Sequence, residues 1–286
     1  MSNAESWVVV WKISLIILNA LCFILALILY ISSKKRDRVQ PEEIHFTRLV
    51  RILGLVFVSV ALYRSVFIAR YDGRLAWYNT VFNSPFIIRC LACFAEISFI
   101  GMIAAILLRQ NKTLHLITKE RSFLSITPYI SFGCITFAQF FAFSTLIFQF
   151  PVFLFLEELL WGIAFLLITP LVFIGLRALK TSTIMSKSSK AFFIIMTLWC
   201  VGYALYQWAY ALPFNYFPKG GGEVTHIVPP DALKQAIVNF NVTKDINRYG
   251  GFGFVSWFTG YFSICVGMSL LFMTAPGCRQ KVSEKE

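Results

Sequence analysis

The stretch FIIRCLACFAEISFIGMIAAILL, from Phe86 to Leu108, is a largely apolar run of 23 residues that includes an arginine, Arg89, and a carboxylate, Glu96. Its length matches the roughly 20 residues a helix needs to cross a bilayer. The two ionisable residues are seven apart, close to two helical turns, so they share one face about 10 Å apart along the axis. An ionisable group in hydrocarbon costs several kcal/mol unless it has a partner or water. That face is therefore expected to point into a protein interior rather than at lipid.

The rest of the chain agrees with a membrane setting. Of its 286 residues 58% are hydrophobic and 14% charged, against about 25% charged in an average soluble domain, and mean hydropathy is +0.70. Apolar runs of spanning length cover residues 7–31, 48–69, 86–108, 126–148, 152–176, 191–213 and 251–274. The expected fold is all-α: one polytopic, seven-helix transmembrane bundle, with no room for a separate soluble domain. The first run lacks a basic leader and a small-residue cleavage site, so it reads as a retained span.

Charge sets the expected orientation. The connections after spans one, three and five, with the tail, carry seventeen basic residues against six acidic ones, among them Arg48, Arg51, Arg109, Lys112, Arg177 and Lys187. The opposite connections are nearly balanced. By the positive-inside rule the N-terminus is outside and the C-terminus cytoplasmic. Of the net charge of +12, +11 thus belongs to the inner loops and tail, where a cytoplasmic partner is expected, and nucleic acid is not expected.

Within the spans Lys12, Arg64 and Arg89 meet Glu96, Glu157 and Glu158, three of each sign and all in the outer half, from about 4 Å deep for Arg89 to about 15 Å for Glu96. Along span five, Glu158 shares a face with Gly162, Phe165 and Thr169, and Glu157 with Trp161, Ala164 and Ile168; Glu158 is expected inward. In span six Met196, Cys200, Tyr203, Gln207 and Tyr210 form one stripe. Lys12 with Asn19 and Thr136 with Gln139 add polar groups from spans one and four. The expected site is a polar pocket open to the outside and lined by Arg64, Arg89, Glu96, Glu158, Tyr203 and Gln207. The bland alternatives are that these groups pair among themselves and lock helix packing, and that Lys12 and Arg89 snorkel to the interface. Ser256, Gly260, Ser263 and Gly267 look like a small-residue packing face.

Other chemistry finds little support. Cys90 and Cys93 form a CxxC pair, but no outer loop carries the second cysteine pair that a disulfide-generating enzyme needs. His45, His115 and His226 lie in loops, far apart, so neither a metal nor a cofactor nor a catalytic residue is expected. The loop 214–250, with Gly220-Gly221-Gly222, Pro229-Pro230 and a short helix near 231–240, reads as a lid, and the loop 70–85 as its neighbour. Asn241-Val242-Thr243 is a glycosylation pattern on the same side.

In span count and orientation the chain resembles the heptahelical receptors and the retinal-binding rhodopsins. Span seven has no lysine for a retinal Schiff base and no Asn-Pro pair; span three ends Leu107-Leu108-Arg109-Gln110 without the acidic-arginine-aromatic triplet; and the turn 149–151 has no cysteine. The paired histidines of heptahelical hydrolases are also missing, so the resemblance names no family. The expectations are, in order, a receptor-like protein of the plasma membrane or an endomembrane taking a small anionic or zwitterionic ligand or lipid head group; a channel or transporter using Glu96 as its coupling or selectivity carboxylate; and a lipid-modifying enzyme.

Overall fold

A computed structural model describes residues 3–36, 44–114, 123–178, 187–216 and 229–274. Gly220-Gly221-Gly222, His115, His226, Cys278 and several basic residues of the connections and tail lie outside the described residues. The chain is all-α, with seven helices among the described residues long and apolar enough to cross a membrane, and it is a multi-pass integral membrane protein. These are α1 (Asn3–Arg36), α2 (Ile44–Val66), α3 (Pro85–Leu114), α4 (Thr127–Phe148), α5 (Pro151–Ala178), α6 (Lys187–Tyr206), which continues as a π-helix over Gln207–Tyr216, and a seventh span. That last span comprises α9 (Gly251–Gly260), a π-helical turn at Tyr261–Cys265, and α10 (Val266–Met273).

Most helices overrun the apolar runs that predict them, because a helix keeps its backbone hydrogen bonds past the point where its side chains turn polar. At 1.5 Å per residue the 30 residues of α3 are about 45 Å long, against roughly 30 Å of hydrocarbon. Neighbours in sequence pack side by side, and the seventh span closes the bundle against α1, α2 and α3.

One end of the bundle carries a cap. Here β1 (Ala69–Arg70) pairs antiparallel with β2 (Leu75–Ala76), and β2 pairs parallel with β3 (Asn241–Val242). The loops flanking α2 and α9 are thereby stitched together, with α7 (Pro229–Ile237) and α8 (Ile246–Tyr249) beside them. Arg74, in a left-handed turn (φ 46°), reaches the end of α4: its Nε donates to Leu146 O at 3.2 Å and its Nη2 to Ile147 O at 2.9 Å. Those carbonyls have no partner further along the helix, so a basic side chain suits them. Arg70 grips Asp72 through two nitrogens and donates to Tyr249 O. Gly250 follows at φ 115°, a conformation only glycine adopts freely, and a Cβ there would lie 3.0 Å from Arg70 Nη1.

The N-terminal part of α1 lies at this capped end, where Lys12 Nζ donates to Tyr78 OH and Trp11 Nε1 donates to Thr259 Oγ1 at 2.8 Å. At the other, basic end Arg51 Nε donates to Met273 O and Gln110 Nε2 to Ser189 Oγ. Arg51, counted above among the basic residues of a connection, is buried inside α2. The small-residue face expected in span seven does not pack. Nothing lies within 4 Å of a Cβ built on Gly260 or Gly267, and Ser256 is exposed. The π-helical turn changes the period, and Phe258, Phe262, Cys265 and Phe272 carry the interface instead.

Candidate functional site

Arg89 and Glu96 share one face of α3, as their spacing predicts, and they also pair with each other, which was the alternative reading. Arg89 Nη2 lies 2.8 Å from Glu96 Oε2 and Nη1 lies 3.2 Å from Oε1, a two-pronged pair along the face of α3. Arg89 is only 2% exposed, so it is sunk in the bundle and does not snorkel. Gln139 of α4 completes the grip: its Nε2 donates to Glu96 Oε2 at 3.0 Å, and its Oε1 accepts from Arg89 Nη2.

A second carboxylate reaches the same arginine. Glu157 Oε1 of α5 lies 3.7 Å from Arg89 Nη1, and Tyr71 OH donates to Glu157 Oε2 at 2.6 Å. The Tyr71 ring sits 5.1 Å from the Arg89 guanidinium carbon. Burial, and then the Glu157 charge, push the Tyr71 hydroxyl well above the ordinary tyrosine range. The choice of Glu158 over Glu157 as the inward residue is therefore corrected. Glu157 is 3% exposed and belongs to the Arg89 cluster. The reason lies in α5, which is covered on two sides, by α4 and by α6, so both of its faces are interior.

Glu158, half-buried, turns to α6 instead. Gln207 Nε2 donates to Glu158 O at 2.8 Å and to Glu158 Oε2 at 3.1 Å. Gly162 permits this approach, because a Cβ there would stand 3.1 Å from Gln207 Cγ. Tyr203 lies one turn back on α6, its ring centroid 4.9 Å from that of Phe165 and 5.7 Å from that of Trp199. The expected stripe fails at its last member: Tyr210 is 55% exposed, since the helix becomes π-helical at Gln207 and the following side chains rotate off the stripe. Of the six expected residues, Arg89 and Glu96 form one group, Glu158, Gln207 and Tyr203 another, and the adjacent residues Glu157 and Glu158 join the two.

Arg64 differs from both groups. It is 5% exposed, and among the described residues it makes no ion pair and no hydrogen bond; its Nε is buried without a partner. Its guanidinium carbon lies 5.1 Å from the Phe262 ring centroid and 5.8 Å from that of Tyr261. The Tyr261 hydroxyl and the Trp199 ring nitrogen are likewise buried without a partner. The ring pairs Phe57–Tyr261, Phe57–Phe99 and Phe99–Trp199 connect these side chains. Buried donors normally find acceptors, so this corner holds unfilled donor capacity at Arg64, Trp199 and Tyr261, the last of which can also accept.

Two grooves lie elsewhere: one of about 450 Å³ between Leu166, Leu205 and Trp208 on the α5–α6 flank, and one of about 350 Å³ between Phe123, Pro170 and Arg177 at the basic end. Sequence reasoning passed over Tyr71, Trp199 and Tyr261 as well as Glu157. Tyr71 sits in a hairpin with no periodicity to give its direction, whereas Trp199 and Tyr261, within apolar spans, read as ordinary aromatic filler. Comparisons with protein-family models, with curated proteins and with solved structures found no match.

Proposed function

We propose that this chain is a seven-span receptor-like membrane protein that binds a small anionic or zwitterionic molecule, or a lipid head group, among the buried charges of the capped half. In this reading the capped end and the N-terminus are outside, in the plasma membrane or an endomembrane. The basic end is cytoplasmic and meets a partner there, as the charge asymmetry of the connections favours.

One observation carries the reading. Arg64 is a buried guanidinium with no hydrogen bond, beside the unpartnered Tyr261 hydroxyl. A bundle locked only by its own polar contacts has no reason to keep such a group, because an unpaired buried charge costs several kcal/mol. A carboxylate or phosphate oxygen on the ligand supplies the missing acceptor. The π-helical segments starting at Gln207 and Tyr261 both begin on residues with an unpartnered buried polar atom, and such segments concentrate at functional sites.

The test is thermal stability of the purified protein in lipid nanodiscs against a panel of small anions, zwitterions and head-group analogues. A binder raises the midpoint, and Arg64→Gln removes the rise. If no compound stabilises the wild type, or if Arg64→Gln leaves the response intact, the reading is lost.

A second reading, a channel or transporter with Glu96 as coupling carboxylate, draws on a different observation. Arg89 faces two carboxylates, Glu96 and Glu157, and the surplus negative charge suits a transported proton or cation. Flux into liposomes that Glu96→Gln abolishes favours this reading over the first.

A further inference from the structure

Counter-ions are shared unequally in the capped half. Arg89 holds two carboxylates, Glu96 at 2.8 Å and Glu157 at 3.7 Å, while Arg64, equally buried, holds none. Glu157 is fixed from the far side by the Tyr71 hydroxyl at 2.6 Å. Glu96 has no such anchor beyond Arg89 and the Gln139 amide. Phe99, one turn along α3 from Glu96, meets the Phe57 ring of α2 at 5.1 Å, and Phe57 in turn meets the Tyr261 ring that lies beside Arg64, so Glu96 and Arg64 belong to facing stretches of α3 and α2. Turning the three side-chain bonds of Glu96 toward α2 gives each arginine one carboxylate, Arg89 with Glu157 and Arg64 with Glu96. In a low-dielectric interior, one-to-one pairing is the natural competitor of the arrangement seen here.

We propose that Glu96 is a movable counter-ion that passes between Arg89 and Arg64, and that the oxyanion of the ligand takes its place at Arg64. This rests on the ligand-binding reading above and deepens it. Without ligand, Glu96 exchanges between Arg89, where this structure holds it, and Arg64. With a carboxylate or phosphate oxygen seated on Arg64 and accepting from Tyr261 OH, Glu96 returns to Arg89 and Gln139, the arrangement in this structure. Ligand occupancy is thereby converted into a change of partner between α2 and α3. The ligand carries an oxyanion that mimics a glutamate carboxylate, whether free in solution or on a lipid head group.

Two measurements test this, and the first needs no ligand. In discs of neutral lipid, thermal midpoints are compared for the wild type, Arg64→Gln, Arg89→Lys and the double variant. Lysine keeps the charge of Arg89 but loses its two-pronged hold, which releases Glu96 to Arg64. Arg64→Gln is then expected to destabilise the Arg89→Lys protein more than it destabilises the wild type. Should Arg89→Lys fail to fold, Gln139→Leu, which removes the amide holding Glu96, serves as the second background with the same expectation. Equal effects of Arg64→Gln in both backgrounds overturn the exchange.

The second measurement uses acetate at matched ionic strength as a soluble probe and, separately, discs containing phosphatidylserine. Arg64→Gln is expected to abolish stabilisation. Arg89→Lys is expected to weaken apparent acetate affinity about tenfold, and Glu96→Gln to strengthen it by a similar factor, in the range of ordinary coupling between sites. Stabilisation by acetate points to a free ligand, and stabilisation by phosphatidylserine alone to a head group. If neither probe acts on the wild type, the binding reading falls while the first measurement still decides the exchange. Equal acetate responses in the wild type, Arg89→Lys and Glu96→Gln overturn the exchange and leave the binding reading standing.

Discussion

The two halves of this bundle are held together by different physics. Toward the capped end, Arg89, Glu96, Gln139, Glu157 and Tyr71 tie α3, α4, α5 and the β1–β2 hairpin through directional, charge-assisted bonds. Toward the basic end the helices close on small residues and rings. A Cβ added to Gly175 would stand 1.9 Å from Phe193 Cε1, and one on Gly54 2.3 Å from Met273 Cγ, while Phe192, Phe193 and Phe272 are fully buried. Lipid is as apolar as leucine, so packing and polar contacts, not the hydrophobic effect, bring helices together in a membrane. In this chain the ionic contacts gather toward the capped end, while the basic end relies on close packing with two buried polar bonds, Arg51 to Met273 O and Gln110 to Ser189. Close packing is cheap to form and tolerates little added volume, whereas a buried ionic cluster is expensive and keeps alternative pairings within reach.

The largest effect that would break this contrast is expected at Arg89. Arg89→Ala strands two buried carboxylates and is expected to cost about 3–5 kcal/mol, read from unfolding in nanodiscs, with much of the loss recovered when Glu96→Gln and Glu157→Gln are added. A loss under about 1 kcal/mol would mean the cluster is hydrated and contributes little. Tyr71→Phe removes a hydrogen bond to a charged group and is expected to cost about 1.5–3 kcal/mol.

Alkaline titration sharpens the same point. The folded protein holds the Tyr71 hydroxyl above its ordinary value near 10, so the unfolded chain gives up this proton first. Stability from this residue is complete below about pH 10 and declines as the pH rises further. Tyr71→Phe should flatten the decline measured between about pH 9 and 11.

At the basic end, Gly175→Ala is expected to cost about 1–3 kcal/mol by overpacking, since a buried ring must move, and Gly54→Ala less because the Met273 side chain bends more easily. Equal losses at the two positions would show that the backbone, not the side chain, resists. Smallest of all, Asp72→Asn in the cap loosens a partly exposed pair with Arg70 and should cost under about 1 kcal/mol, falling with added salt.

All seven spans were legible as apolar runs of spanning length, and the shared face of Arg89 and Glu96 followed from their spacing, whereas their pairing with each other was the alternative reading. What escaped depended on the third dimension or on a change of period. Glu157 and Glu158 are adjacent and face different neighbours, so a one-face model of α5 had to choose and chose the residue that turns to α6. Tyr210 and the small-residue face of span seven were misplaced by π-helical turns, which leave no mark in the hydrophobic pattern. Arg51, at the start of the second apolar run, was counted with the basic residues that flank it, although α2 buries it one turn farther in. The unpartnered state of Arg64 could not be read at all, since it concerns what the other carboxylates do.

The parallel register of Leu75-Ala76 against Asn241-Val242 has a consequence for biogenesis. During synthesis the first of these strands emerges after two helices, and its partner only after six. Until the last loop is made, the hairpin has an open edge and the seventh span is not yet present to close the bundle beside Arg64. A nascent chain stalled between the sixth span and residue 241 therefore carries the charges of α2, α3 and α5 without the third strand beside the hairpin above them.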